Sequence, residues 1–234
     1  MSNKIIFLDT IPDKTITLKE DEEVTIVSLV TTGWQGVRNL IINAKGRGSH
    51  CQCIFFILGT NNSSFDAKIE AIHAAPKTQI KARIRSALTD KSSCSIEGAW
   101  SIEKNASGAD TYFSHHTLLL SQGASAKTAP FLEIKTDDVK AGHAASVGKV
   151  DEDALFYLLS RGLDEQQARA MLVQGFFETE LAAIDDEKIK DTIREAVTTF
   201  LLSSPSAREG VGGVGADTSA TPSRSLPACR QAGW

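Results

Sequence analysis

Residues 64–104 read "SFDAKIEAIHAAPKTQIKARIRSALTDKSSCSIEGAWSIEK", and their alternation decides the fold. Phe65, Ala67, Ile69, Ala71 and His73 take turns with Asp66, Lys68 and Glu70. After "APKT" the pattern resumes with Ile80, Ala82, Ile84, Ser86 and Leu88 against Lys81, Arg83 and Arg85, then again with Cys94, Ile96, Gly98, Trp100 and Ile102. A period of two sustained this long predicts strands with one buried face. The strands start every ~15 residues, which points to a stacked, solenoidal architecture. The breaks lack the Asn-Gly or Asp-Gly pairs of tight hairpins, so a parallel β-helix fits better than an antiparallel sandwich. Ala67, Ala71, Ala82 and Gly98 suit its narrow interior.

Working outward, residues 1–150 are strand-like, 151–202 helical, and 203–234 neither. Asp151 is expected to cap a first helix that Gly162 ends in a left-handed conformation. Asp164 and Gln167 match a capping box opening a second, carrying Met171, Leu172, Gly175, Phe176 and Leu181. Asp185 is expected to cap a third helix with Ile189, Ile193, Val197 and Phe200 along one stripe. These helices are expected to cover the open end of the solenoid, whose strand edges would otherwise stay unpaired. The tail, "SSPSAREGVGGVGADTSATPSRSLPACRQAGW", has too few large apolar residues to offset its ordering entropy and reads as disordered. Its "GVGGVG" follows no strand and precedes no Lys-Ser/Thr pair, so it is not a phosphate loop.

Bulk composition narrows the function classes. Hydrophobic residues form 41% and charged residues 23% of 234 residues, with a formal net charge of −4. That balance gives no electrostatic reason to expect nucleic acid or an anionic membrane as partner. The longest apolar run, "CIFFIL" (53–58), is far short of a bilayer span, and "MSNKIIFLDTIPDK" does not read as a secretory leader. Four irregularly spaced cysteines do not form a disulfide framework. A reduced, cytoplasmic setting is expected.

Two motifs carry a family resemblance: "PFLEIKTDDVKAGHAASVG" (130–148) and "LFYLLSRG" (155–162). Together they resemble the C-terminal portion of SufB/SufD proteins, the paired scaffold subunits of the SUF iron–sulfur cluster assembly machine. The resemblance implies a right-handed parallel β-helix with helical caps. It also implies pairing with another SufB/SufD-type subunit and docking of the ABC-type ATPase SufC through the C-terminal helices. Members are usually longer, so this chain looks like a short form. SufD-type members have a cysteine where this chain has Ala141. SufB-type members place a cysteine implicated in cluster assembly at about Ala124 and a glutamate at Ala144. The chain therefore looks closer to SufD. His143 is the one position carried over as a candidate metal ligand, for an iron–sulfur cluster shared with the partner subunit, since this chain alone is not expected to hold one. Neutral imidazole can replace thiolate on a cluster iron. The alternative is a turn histidine bonded to nearby backbone. For ATPase docking the expected residues are Phe156, Tyr157, Arg161 and Gly162, although Phe156 packing and Gly162 capping would explain two of them structurally.

The remaining candidates favour structural roles. Cys51 and Cys53 share a strand face but lack the second ligand pair of a zinc site. His115 and His116 point to opposite faces, and His73 lies on an apolar one. Lys81, Arg83 and Arg85 form a basic stripe expected to pair with Asp66/Glu70 or Glu97/Glu103. Asp137 and Asp138 are adjacent and would face opposite sides of a strand. No self-sufficient active site emerges, so the protein is not expected to be an enzyme. Two rivals to the scaffold reading stand: an interaction module of the same fold that binds no cluster, and a β-helix carbohydrate-active enzyme.

Overall fold

The computed structural model describes residues 4–203. Strands β1 (Lys4–Leu8), β3 (Glu23–Val30), β5 (His50–Gly59), β7 (Gln79–Leu88), β9 (Ala109–Leu119) and β11 (Val139–Gly148) form one sheet in that order. Strands β2 (Lys14–Leu18), β4 (Val37–Ala44), β6 (Ser64–His73), β8 (Ser93–Ile102) and β10 (Ser125–Ile134) form the other. We call these the odd and even sheets. Every pairing is parallel. The chain therefore alternates between two sheets and stacks coil on coil, as a parallel β-helix does. The ~15-residue spacing is half a coil, and from β4 onward like positions recur 29 to 32 residues apart.

Corners replace hairpins. Asp21, Asn61, Lys77 and Asp90 hold positive φ at 53–57°, and successive corners bond to one another. The Asn61 N–H donates to Asp90 Oδ2 at 2.8 Å, and the Lys91 N–H donates to the Asn61 carbonyl at 2.8 Å. Stacked polar turns satisfy backbone groups that a lone turn would leave to water.

Between the sheets lie Ile69, Phe65, Ile84, Ile96 and Phe113, all essentially buried. Burial of every second residue in β6, β7 and β8 bears out the period-two reading. Gly98 makes room for the Trp100 and Phe113 rings, whose centroids are 4.8 Å apart. A Cβ there would meet Trp100 at 2.7 Å and Phe113 at 3.0 Å.

Helices α1 (Glu152–Ser160), α2 (Glu165–Leu181) and α3 (Glu187–Ser203) follow. Asp151 caps α1 by accepting the Ala154 N–H at 2.8 Å. Gly162 sits at φ +93° after α1, and the Asp164–Gln167 capping box is formed in both directions. The third cap is Asp186, not Asp185: its Oδ1 accepts from Lys188 and Ile189. The buried stripe of α2 is also shifted, to Ala168, Val173, Phe177 and Leu181, leaving Met171 more than half exposed. The α3 stripe of Ile193, Val197 and Phe200 is buried as expected.

The helices do not close the end of the solenoid. They pack on the outer face of the odd sheet, where Val27, Ile54, Phe56, Leu58 and Ala87 join Val173, Phe177, Leu181, Ile193 and Val197 in a second core. The "CIFFIL" run explains this, because a parallel strand apolar on both faces must be covered on both. The basic stripe finds other partners for the same reason. Sequence-adjacent strands belong to different sheets, so Lys81 pairs with Asp110 of β9 at 3.1 Å, and Arg83 and Arg85 turn to Glu180 of α2. Glu70 and Glu97 of the even sheet instead meet Lys68, and Glu103, just after β8, meets Lys135. The reading of 203–234 as disordered lies outside the described residues, apart from Ser203 at the end of α3.

Replacing Gly98 with Val is expected to destabilise the fold by about 1–3 kcal/mol through overpacking, read as a lower urea midpoint at unchanged slope.

Candidate interface at the open end of the β-helix

Among the described residues the last coil has no successor. In the described residues β10 pairs only with β8 and β11 only with β9, so each leaves a strand edge unpaired. Register shows which side chains this exposes. On β11, His143 lies opposite Phe113 and Ala145 opposite His115. Phe113 and His115 face the interior, so Ala141, His143, Ala145 and Val147 face it too. On β10, Leu132 lies opposite Trp100 and Ile134 opposite Ile102, both interior residues. In any earlier coil these positions would be sealed. Here Leu132 is 36%, Ile134 46% and Val147 46% exposed, beside Phe131 at 57% on the outer face. The end of the solenoid is a cut hydrophobic core with two free strand edges.

His143 stands in this cut face, exposed, in the middle of a strand rather than in a turn. Ala141 and Ala145, two residues to either side on the same face, leave its ring unobstructed. Ala144 faces the other side of β11, and Ala124 is buried just before β10. Asp137 and Asp138 lie in the loop between β10 and β11, not on a strand, and Asp138 accepts from Ser107 at 2.6 Å.

Four residues after Gly148, α1 begins and presents a different surface. Only Leu155 of this helix is buried. Phe156 and Tyr157 are 73% and 54% exposed, and the Arg161 guanidinium lies 5.1 Å from the Tyr157 ring centroid. Phe156 therefore does not pack α1 onto the coil; Leu155 is the side chain the helix buries.

The other candidates are core residues. Cys51 and Cys53 are buried with sulfurs 3.9 Å apart. Its hydrogen bond with Cys51, then burial, holds the Cys53 thiol well above its ordinary range. Burial pushes Cys94 up to about 12. The Cys53 and Cys94 thiols stay protonated and are poor metal ligands. His115 bonds Ser86 at 2.8 Å, Thr128 at 2.8 Å and Thr117 at 3.1 Å, and burial lowers it to about 3. His73 bonds Thr78 at 2.7 Å, and burial lowers it to about 4. His116 is on the opposite face from His115, where its Nδ1 meets Ser146 Oγ of β11 at 2.7 Å. Burial and then the Arg85 cation push His116 down, against the pull of Glu180. Among the described residues, no three His, Cys, Asp or Glu side chains are grouped to hold a metal, and no helix is long and apolar enough to cross a membrane.

The family model of the SUF system FeS cluster assembly SufBD core domain matches residues 10–176, well over half the chain. This chain belongs to the SufBD family. An iron–sulfur cluster assembly SufBD family protein of Mycobacterium leprae is 30% identical over 177 residues, covering 72% of this chain and 45% of that one. One from Mycobacterium tuberculosis is 31% identical over 160 residues, or 65% and 40% of the two chains. The iron–sulfur cluster assembly protein SufB of Bacillus subtilis is 32% identical over 134 residues, or 57% and 29%. This SufBD chain thus spans less than half the length of these relatives. The match extends through both motifs and most of α2, so it takes in the open coil and the exposed face of α1.

One signal in the sequence bears on this site. The "DDVKAGHAASVG" motif marks His143. The exposure of Leu132, Ile134 and Val147 is visible only once their inward phase and the missing next coil are both known.

The buried neutral histidines give a pH dependence. The unfolded chain binds protons on His73 and His115 near pH 6.5, whereas the folded chain does so only near 4 and 3. Stability therefore falls as pH drops below about 6.5, by about 2 kcal/mol per ring at pH 5. Urea unfolding between pH 7 and pH 5 measures it. A flat profile would refute the assignment, and His115→Asn is expected to remove about half the slope.

Proposed function

We propose that this SufBD protein is a scaffold subunit for iron–sulfur cluster assembly that pairs end to end with a second SufB/SufD-type subunit through β10 and β11. The carrying observation is the uncovered end of the coil: Leu132, Ile134 and Val147 exposed beside two free strand edges. Burying such a surface against a like surface satisfies backbone groups and apolar area together. His143 would then supply one imidazole toward a cluster, as cargo under assembly, with the remaining ligands coming from the partner. Residues 1–150 would form the scaffold and 151–202 the docking unit for a SufC-type ATPase. Ala124 and Ala144, at the positions where SufB-type members carry cysteine and glutamate, favour a SufD-type role. In this division of labour the nucleotide chemistry belongs to the ATPase.

Docking is assigned to the exposed face of α1, with Phe156 and Tyr157 as apolar contacts, Arg161 stacked on Tyr157, and Gly162 closing the helix. Deleting 151–202 would not test it cleanly, because Val27, Ile54, Phe56 and Leu58 would lose their cover. The paired variant Phe156→Asp/Tyr157→Asp is the better probe. It is expected to abolish co-purification with the SufC-type ATPase while leaving the thermal midpoint within about 1 °C, as surface substitutions do. Unchanged retention would remove the docking claim.

A second reading has its own support in Ala124, Ala141 and Ala144: an interaction module that keeps the fold and partners but holds no cluster. Anaerobic reconstitution with iron and sulfide, alone and with a SufB-type partner, separates the two. The scaffold reading expects visible absorption in the paired complex to fall at least several-fold in His143→Ala. Equal absorption would favour the module.

A further inference from the structure

One row of directly opposed residues crosses the outer face of the odd sheet from the helix-covered side to the open edge. Phe56 of β5 is in register with Arg85 of β7, Arg85 with His116 of β9, and His116 with Ser146 of β11. Helix α2 lies over the covered half of that row. Phe177 packs on Phe56 with ring centroids 6.1 Å apart, and Phe176 lies 4.7 Å from the Arg85 guanidinium carbon. Arg85 donates from both Nε, at 3.2 Å, and Nη2, at 3.1 Å, to Glu180 Oε1. Glu180 is only 7% exposed, and the Nε of Arg83 lies 3.8 Å from its second oxygen. A carboxylate so desolvated has to keep its guanidinium partners, because an unpaired charge here is far costlier than the pair. At the other end of the row, His116 Nδ1 and Ser146 Oγ are 2.7 Å apart on the edge strand, three residues from His143.

We propose that Glu180 and Arg85 are positioning residues that tie the placement of α2 to the placement of the edge strand β11, through His116 and Ser146. The Arg85 head is held from above by Glu180 and Phe176, and its backbone is held in register beside His116. Displacing α2 withdraws the carboxylate from Arg85 and leaves the Arg85 cation to face the His116 ring. The ring's bond to Ser146 then loses its fixed support. Among the described residues strand β11 has no second strand beside it, so it takes up the change, carrying His143 with it. The functional meaning of this link rests on the reading of β11 as the subunit interface. The link itself does not.

Amide hydrogen exchange on the isolated chain, resolved for β11 (139–148), α2, β7, β3 and β5, tests it. Glu180→Gln is expected to speed exchange in β11 by about tenfold while β3 and β5 keep their protection, within the coupling range of residues sharing one network. Ser146→Ala is expected to speed β11 alone. The double variant is expected to add little to Glu180→Gln, because both break one chain. Faster exchange confined to α2 and β7, or fully additive effects of the two substitutions, would overturn the proposal. Should Glu180→Gln also loosen β3 and β5, the helices have detached. Arg85→Lys, which keeps the charge but loses the two-nitrogen grip, then takes its place: faster exchange in β11 supports the link, and faster exchange confined to α2 and β7 overturns it. Because no partner is present, failure here leaves the scaffold reading standing, and loss of subunit pairing in separate experiments leaves this link standing.

Discussion

The structure depends on one constraint: in a parallel coil, each strand's inner face and edges are completed by the coil stacked on it. Ile69 is sealed because Leu40 and Gly98 lie to either side of it in register. Satisfaction is borrowed from the neighbour all along the stack. Wherever stacking stops, some other surface has to take over, and the last coil of the described residues shows what remains when none does. Leu132, Ile134 and Val147 occupy the same inward phase as fully buried residues elsewhere, and differ from them only in having no coil beyond.

A second requirement acts sideways. The odd sheet is apolar on both faces at Ile54, Phe56 and Leu58, and so it draws the helices onto its flank. That leaves the end open and places α1, with its exposed Phe156 and Tyr157, directly after the edge strand. The arrangement concentrates an unpaired strand edge, an unobstructed imidazole and an exposed aromatic helix face within one stretch of chain. The same flank packing buries Glu180, the one described acidic residue drawn into that second core, against a sheet whose arginines run in a stripe.

Much of this is legible in the sequence. The alternation in β6, β7 and β8 is unambiguous because one face is always buried, and the absence of tight-turn pairs points correctly to parallel stacking. The caps Asp151 and Asp164 and the terminator Gly162 are legible because capping is a local contest between a side chain and nearby backbone. Other features are not local. Asp185 and Asp186 are adjacent acids equally able to cap, and only the helix axis set by packing chooses between them. The stripe of α2 reads out of phase because Met171 and Phe176 are as apolar as Val173 and Phe177, and what separates them is the direction of the sheet beneath. Lys81, Arg83 and Arg85 match the wrong acids in the sequence because alternation shows the faces of strands but not which strands share a sheet. His143 is legible from its motif, whereas its setting in a cut core follows only from the register.

The unequal spacing between paired positions, 29 residues in one place and 32 in another, has a consequence for how such chains change length. All strands remain in phase despite it, so the difference is absorbed entirely where the backbone rounds the corners. Inside a strand, one added residue would swap every later side chain between interior and solvent. Slack of one to three residues is therefore harmless at the corners and ruinous anywhere between them, and drift over generations should accumulate at the bends while the straight runs hold their count.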